Sequence, residues 1–226
     1  EVSIRKIKGI DTVFLDDRAL LSPMGKKIVL PTKLTKAVYE EWSTIDDKII
    51  PSKMPNFSLA VTAIDRVSTQ RDYICSQLLS FANNDLICYW AGEDTFLKNK
   101  QELEWKPIIE WFEKENNIKL EISLSLMPIK HEIIKKSIIK KDLENLNDLT
   151  LSGLFYLVSS SGSFILSWSL YKKQTNLNRF YNLALLEELY QSEKWGTDKE
   201  ADCRREQIYK NFKDAYNFLN LLSVSS

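Results

Sequence analysis

The sequence predicts an α+β protein, with a small N-terminal β-rich domain followed by a larger, mostly helical C-terminal domain. Three observations carry this reading. Short apolar runs separated by turn signals fill the first thirty residues. Beyond Pro31, apolar residues recur at three- and four-residue spacing almost to the end. The 226 residues are enough for one domain or two small ones, and for a sizeable core without staples. The expected division is 1–55, a β-rich domain with one helix, and 56–226, the helical domain.

Each element has a local reason. Val2, Ile4 and Ile7 lie among polar residues. Asp16-Asp17 separates Val13-Phe14-Leu15 from Ala19-Leu20-Leu21, a turn between two short strands. Ser22-Pro23-Met24-Gly25 is a second turn, and Ile28-Val29-Leu30 a third apolar run that ends at Pro31. Thr32 is the expected N-cap of a helix carrying Leu34, Ala37, Val38 and Trp42. Pro51 and Pro55 frame Met54, and Asn56 is the expected cap of a helix through Leu59, Ala63 and Val67. Further helices are expected over 71–81 and 96–114, where Pro107 must lie near a start or kink the helix. The run 86–90 is too short to assign. Leu120, Ile122, Leu124 and Leu126 alternate with polar residues, which fits a strand near 120–126 or an extended linker.

From Pro128 the chain reads as helical, with Ile129, Ile133, Ile134 and Ile138 in one stripe. A helical pair is expected over 147–158 and 163–171. One long helix is expected from Asn176 to Trp195, stopped by Gly196, and a last helix over 198–222. Residues 149–171 carry no charged side chain, but seven serines and two glycines interrupt them, so a buried hairpin is preferred to a membrane span.

Composition narrows the function. Hydrophobic residues make up 44% and charged residues 27%, which excludes disorder, collagen and a disulfide scaffold. Lys+Arg and Asp+Glu are 31 each, so the net charge of zero disfavours a globally basic nucleic-acid binder. Cys75, Cys88 and Cys203 form no CxxC and read as buried apolar residues. The single histidine, His131, has no nucleophile or orienting acid in its window, and no phosphate-cradling glycine motif occurs. We therefore expect no catalytic residue, no metal site and no cofactor. The chain opens on charged and β-branched residues, so no signal or transit peptide is expected.

Two charged segments stand out. Lys130 to Lys141 holds five lysines and one glutamate, a phosphate or acidic-partner patch or merely the solvated face of an amphipathic helix. Glu187 to Glu206 holds seven acids and four bases. Within it Glu187, Gln191 and Trp195 recur every four residues and share one helix face, a recognition stripe or a solvated one. Trp42, Trp90, Trp105 and Trp111 lie among apolar residues and are expected in the core, whereas Trp195 suits a partner surface or a packing plug.

Several strings, taken in order, are familiar. They are LPTKLTKAVYEEW (30–42), IIPSKMP (49–55), LAVTAIDRV (59–67), DLICYWA (85–91), QELEWKPIIEWFE (101–113), SGS (161–163) and EELYQSEKWGTDKEADCRR (187–205). From about Ile7 to Leu222 the chain resembles the F1-ATPase assembly chaperones that handle the alpha subunit of ATP synthase in mitochondria and alphaproteobacteria. The resemblance implies a non-enzymatic holdase for free alpha, acting until the beta subunit pairs with it. It implies a β-rich N-terminal domain before a helical one, and a location in a bacterial cytoplasm or the mitochondrial matrix. The family's acid-x-x-x-Gln-x-x-x-Trp-Gly pattern falls on Glu187, Gln191, Trp195 and Gly196, with Glu188 beside it; either acid is the expected partner contact. Trp42, Met54 and Pro55 are implied to be structural. Trp90 stands where the family often has arginine.

We also expect no nucleic acid, no stable membrane insertion and a monomer when free. Two other classes compete: an enzyme using Asp65, Asp85 or Glu104, and a helical adaptor that binds acidic partners or a membrane surface through the 130–141 lysines.

Overall fold

The computed structural model describes residues 1–45, 48–125 and 138–223. The chain begins with an antiparallel hairpin, β1 (Val2–Ile7) and β2 (Ile10–Leu15), in the register Val2↔Leu15 to Ile7↔Ile10. Lys8 and Gly9 join the strands, both with positive φ (49° and 83°), the left-handed pair that matches the twist of a two-residue hairpin. Asp16, at φ 52°, turns the chain into a short β3 (Arg18–Ala19), giving the sheet order β1-β2-β3.

The third apolar run is not a strand. After β3 only an isolated Leu21–Lys27 bridge pairs, while Ile28 and Leu30 turn into the core. Pro31 follows at once, sets φ to −57° and becomes the N-cap of α1 (Thr32–Ser43), so Thr32 is the first helical residue and not its cap. Asp65 ties down the 22–25 turn by accepting from Ser22 Oγ at 2.6 Å and the Met24 N–H at 3.2 Å.

The next helix, α2 (Pro55–Asp65), opens with Pro55 at its first position. Asn56 is not its cap. The Glu41 carboxylate of α1 accepts the Asn56 and Phe57 N–H groups, each at 2.8 Å, and meets the positive end of the helix. Burial raises the Glu41 pKa, and these bonds oppose the rise. Trp42 packs edge-on against Phe57 with ring centroids 5.1 Å apart, and Met54 is fully buried.

The chain divides into two compact units. The first holds residues 1–71, 147–153 and 214–226. Within it Ser152 Oγ donates to the Leu59 carbonyl at 2.8 Å, and Arg71 pairs with Asp148 at 2.6 Å.

The second unit holds residues 72–146 and 154–213. Its elements include most of α3 (Arg71–Asn83), then α4 (Thr95–Asn116), α5 (Ile138–Asn145), most of α6 (Asp148–Ser161), α7 (Phe164–Tyr171), α8 (Leu177–Ala184), α9 (Leu186–Trp195) and the start of α10 (Lys199–Leu222). Asp94 caps α4 by accepting the Leu97 N–H at 3.0 Å. Pro107 lies inside α4, away from its start. Leu86–Cys88 forms a single 3₁₀ turn.

Near 120–126 the described residues hold one parallel bridge, Ser123 with Tyr89, and no strand. It does not join the N-terminal sheet. Gly92 makes the approach possible, because a Cβ there would stand 2.6 Å from the Leu124 carbonyl oxygen.

The uncharged stretch is a buried hairpin. Gly162, at φ 74°, ends α6, and Ser163 caps α7 by accepting the Leu166 N–H at 3.0 Å. Every residue from Phe164 to Leu170 is buried. Among the described residues no helix is long and apolar enough to cross a membrane.

The long helix expected over 176–195 is two. Leu185 (φ −107°, ψ 19°) separates α8 from α9. Leu183, Leu185 and Leu186 are all buried around the break. Two further expectations change. Cys203 is exposed, and among the four tryptophans expected in the core Trp105 alone is fully buried, while Trp42, Trp90 and Trp111 are half-buried. A long amphipathic ring can cover core with one face and still meet solvent with the other.

Candidate functional site

Helix α9 follows from its sequence. Glu187 and Glu188 occupy its first turn and Lys194 its last, so its charges complement the helix dipole. Leu186 anchors the inner face, and Gly196 (φ 85°) ends the helix as the expected stop. Glu187, Gln191 and Trp195 form an exposed row, with Trp195 at 77% exposure. Eight residues separate Glu187 from Trp195, about 12 Å along the axis, so the row suits an extended surface and not a single small ligand.

The two adjacent acids stand in different environments. Glu187 Oε1 accepts from Gln101 Nε2 at 2.7 Å. Gln101 is fully buried, and its own Oε1 accepts the Ala91 N–H at 2.7 Å, which fixes its amide orientation. Glu187 is thus held by a neutral donor, and among the described residues no cation pairs with it. Glu188 is bound to two cations, Arg204 at 2.8 Å and Arg205 at 3.5 Å.

Arg205, only 9% exposed in its side chain, also donates to Asp202 at 2.5 Å, Ser192 Oγ at 2.8 Å and Thr197 Oγ1. The Arg205 hydrogen bond, with help from Thr197, holds the Asp202 carboxyl below its usual range. Glu188 therefore braces α9 against α10. A small cleft of about 270 Å³ has both acids on its lining, with Trp105, Leu185, Ser161 and Arg204 among the others.

The far end of α9 is tied to α4. Glu193 pairs with Lys100 at 2.7 Å and Lys194 with Asp94 at 3.4 Å. The Tyr190 hydroxyl donates to Asp94 at 3.2 Å, and both lysines lie over the Tyr190 ring. Lys194 also lies 5.9 Å from the Trp195 ring centre.

Two exposed residues of α4 escape sequence reasoning. Phe96 is 79% and Leu103 72% exposed. Their signal was their spacing: seven residues, two helical turns, apart and off the buried row of Leu97, Gln101, Trp105 and Ile108. Isolated exposed apolar residues are ordinary, but exposed aromatic and aliphatic side chains are also what a protein-docking surface uses as anchors.

The remaining sequence candidates lie elsewhere. Trp42, Met54 and Pro55 belong to the α1–α2 packing of the first unit. Asp65 is occupied by the 22–25 turn. Asp85 is buried and accepts from Ser163 Oγ at 2.6 Å and from the N–H groups of Ile165 (2.8 Å) and Ile87 (3.2 Å), so it joins the starts of α7 and the 86–88 turn. Glu104 is half-buried on α4. His131 and most of the 130–141 lysine segment lie outside the described residues. Among the described residues, no three His, Cys, Asp or Glu side chains are placed to hold a metal.

This three-stranded sheet followed by helices is the fold of a known chaperone. The structure superposes on the crystal structure of Atp12 from Paracoccus denitrificans with a TM-score of 0.88 and 28% identity, covering 98% of this chain and 96% of that one. Two curated relatives are Protein atp12, mitochondrial, of Schizosaccharomyces pombe and Protein ATP12, mitochondrial, of Saccharomyces cerevisiae. The first is 28% identical over 83% of this chain and 69% of its own length. The second is 25% identical over 84% of this chain and 72% of its own. The ATP12 chaperone protein family model matches residues 1–113, half of the chain. The protein belongs to the ATP12 chaperone family, the class of ATP synthase assembly chaperones that its sequence strings resemble.

Proposed function

We propose that the protein binds the free F1 alpha subunit of ATP synthase, keeps it from aggregating and releases it when beta pairs with it. It does so without catalysis, as a monomer when free, in a mitochondrial matrix or a bacterial cytoplasm. The observation that supports this most directly is the exposed Glu187–Gln191–Trp195 row, whose leading acid is oriented by the buried amide of Gln101. A lone assembly subunit exposes an apolar interface, and a reversible cover needs a few apolar anchors inside a charged rim. Trp195, with Phe96 and Leu103, supplies anchors; Glu187 supplies a carboxylate for an Arg or Lys of the client. Glu188, already held by Arg204 and Arg205, is the brace that keeps α9 in place.

The test is co-expression with alpha, with beta as the control, followed by size exclusion. A soluble complex with alpha alone is expected. Glu187→Gln keeps an acceptor for Gln101 and removes only the charge, so it should weaken the complex by about tenfold without lowering the melting temperature. Alpha remaining insoluble beside the wild-type chain would overturn the proposal. Unchanged binding by both Glu187→Gln and Glu187→Lys would overturn the role given to Glu187.

A further inference from the structure

Seven of the thirteen exposed large hydrophobic side chains among the described residues fall in the first fifty positions: Ile7, Ile10, Leu21, Met24, Val29, Ile49 and Ile50. Four of them, Ile7, Ile10, Leu21 and Val29, line one groove of about 240 Å³ on the N-terminal sheet. A second groove, of about 450 Å³, adjoins it through the shared residues Leu20 and Leu21 and runs on past Trp42, Ile49 and Phe57. The two make one apolar track on the first unit, separate from the α9 surface in the chain. Covering these side chains would remove apolar area from water, so the track favours an apolar occupant.

Where the described lining of the track is charged, it is basic. Among the described residues no carboxylate lines either groove, and the charged lining residues there are Lys8 and Lys27, both exposed. Among the described residues neither has an ion-pair partner. Neighbouring charges on the same hairpin are neutralised: Arg5 pairs with Asp17, and the N-terminal ammonium with Asp16. Lys8 sits in the left-handed hairpin turn, where its backbone is fixed beside the groove mouth.

We propose that this track docks an apolar segment of a client polypeptide that carries an aspartate or glutamate, with the carboxylate meeting Lys8 or Lys27. The apolar side chains of the segment fill the grooves, and the lysines set its register and reject basic segments. Charge also argues against this chain's own segment 126–137 as the occupant, since it carries three lysines against one glutamate. That the client is an F1 subunit rests on the function proposed above; the chemistry of the track does not.

The experiment probes an array of short overlapping peptides, tiled over the F1 alpha and beta subunits, with the full chain and two double variants. Ile10→Ser/Val29→Ser changes only exposed side chains, and Lys8→Glu/Lys27→Glu leaves the apolar lining intact; thermal melts check that both fold. The wild-type chain should bind apolar peptides containing Asp or Glu. The serine pair should weaken them by at least about tenfold, and the charge reversal by about three- to tenfold, with the loss shrinking at high salt.

Bound peptides that all come from outside alpha would leave the track standing and overturn the alpha-subunit reading. The inference is overturned if no peptide binds, if binding is untouched by both variants, or if the preferred peptides are basic. It is also overturned if light scattering shows a dimer that the serine pair dissociates, since the track would then be covered by a second copy.

Discussion

Replacing Asp85 tests how the helical unit is held together. The carboxylate is fully buried and accepts three hydrogen bonds, from Ser163 Oγ and the Ile165 and Ile87 N–H groups. Asp85→Ala leaves those donors without an acceptor. Each orphaned buried donor costs ~1–3 kcal/mol, offset in part by no longer burying a charge, so a net loss of about 3 kcal/mol is expected. For a chain of this size that lowers the melting temperature by roughly 6–12 °C.

The same site carries a pH signature. Burial pushes the Asp85 pKa up to about 7, against the pull of its hydrogen bonds. The folded state therefore holds a proton that the unfolded chain has released over the interval from the ordinary carboxylate range to about 7. The associated stability is fully present below the unfolded value and is lost as pH rises through about 7, up to ~4 kcal/mol in all. Urea unfolding followed by tryptophan fluorescence at pH 5 and pH 8 reads both effects. The wild-type chain should lose stability between these pH values, and Asp85→Asn should lack that part of the slope. Equal slopes in the two proteins, or an Asp85→Ala midpoint shifted by less than about 1 kcal/mol, would refute the reasoning.

Two further outcomes follow from the same geometry. Glu188→Lys places a third cation beside Arg204 and Arg205 and should cost about 2 kcal/mol in urea unfolding, whereas Glu187→Gln should cost under about 0.5 kcal/mol, so the two acids separate in stability before any client is added. Gly92→Ala brings a Cβ to 2.6 Å from the Leu124 carbonyl oxygen and should cost about 2 kcal/mol, with faster amide exchange at Trp90 and Ser123, whose N–H groups bond across that contact; unchanged exchange there would show that the loop yields freely.

Much of the fold was legible because it is set locally. Alternating and turn residues place the β1–β2–β3 meander, and three- to four-residue spacing places most helices within a few positions. The errors share a cause. Ile28–Leu30 looked like a strand because an apolar run does not say whether its backbone finds a partner. The 176–195 helix looked continuous because its dipeptide Leu185-Leu186 has good helix propensity and no Gly or Pro marks the break at Leu185. Asn56 looked like the cap of α2, but the acceptor is Glu41, fifteen positions away.

The candidate surface divides in the same manner. The four-residue recurrence of Glu187, Gln191 and Trp195 is a property of the sequence, since helix geometry alone aligns them. That Gln101 holds Glu187, while Glu188 is occupied by Arg204 and Arg205, is not, because those partners lie 86, 16 and 17 positions away.

By itself the sequence determined the α+β class and the helical row that carries the acids, since composition and short-range periodicity act within a few residues, and its ordered strings carried the resemblance to the family. The tertiary structure decided which of two adjacent glutamates pairs with cations, where one long helix breaks, and that the first unit leaves an apolar track open. Each of these depends on which distant side chain arrives to pair, pack or cover, and no local pattern encodes that arrival.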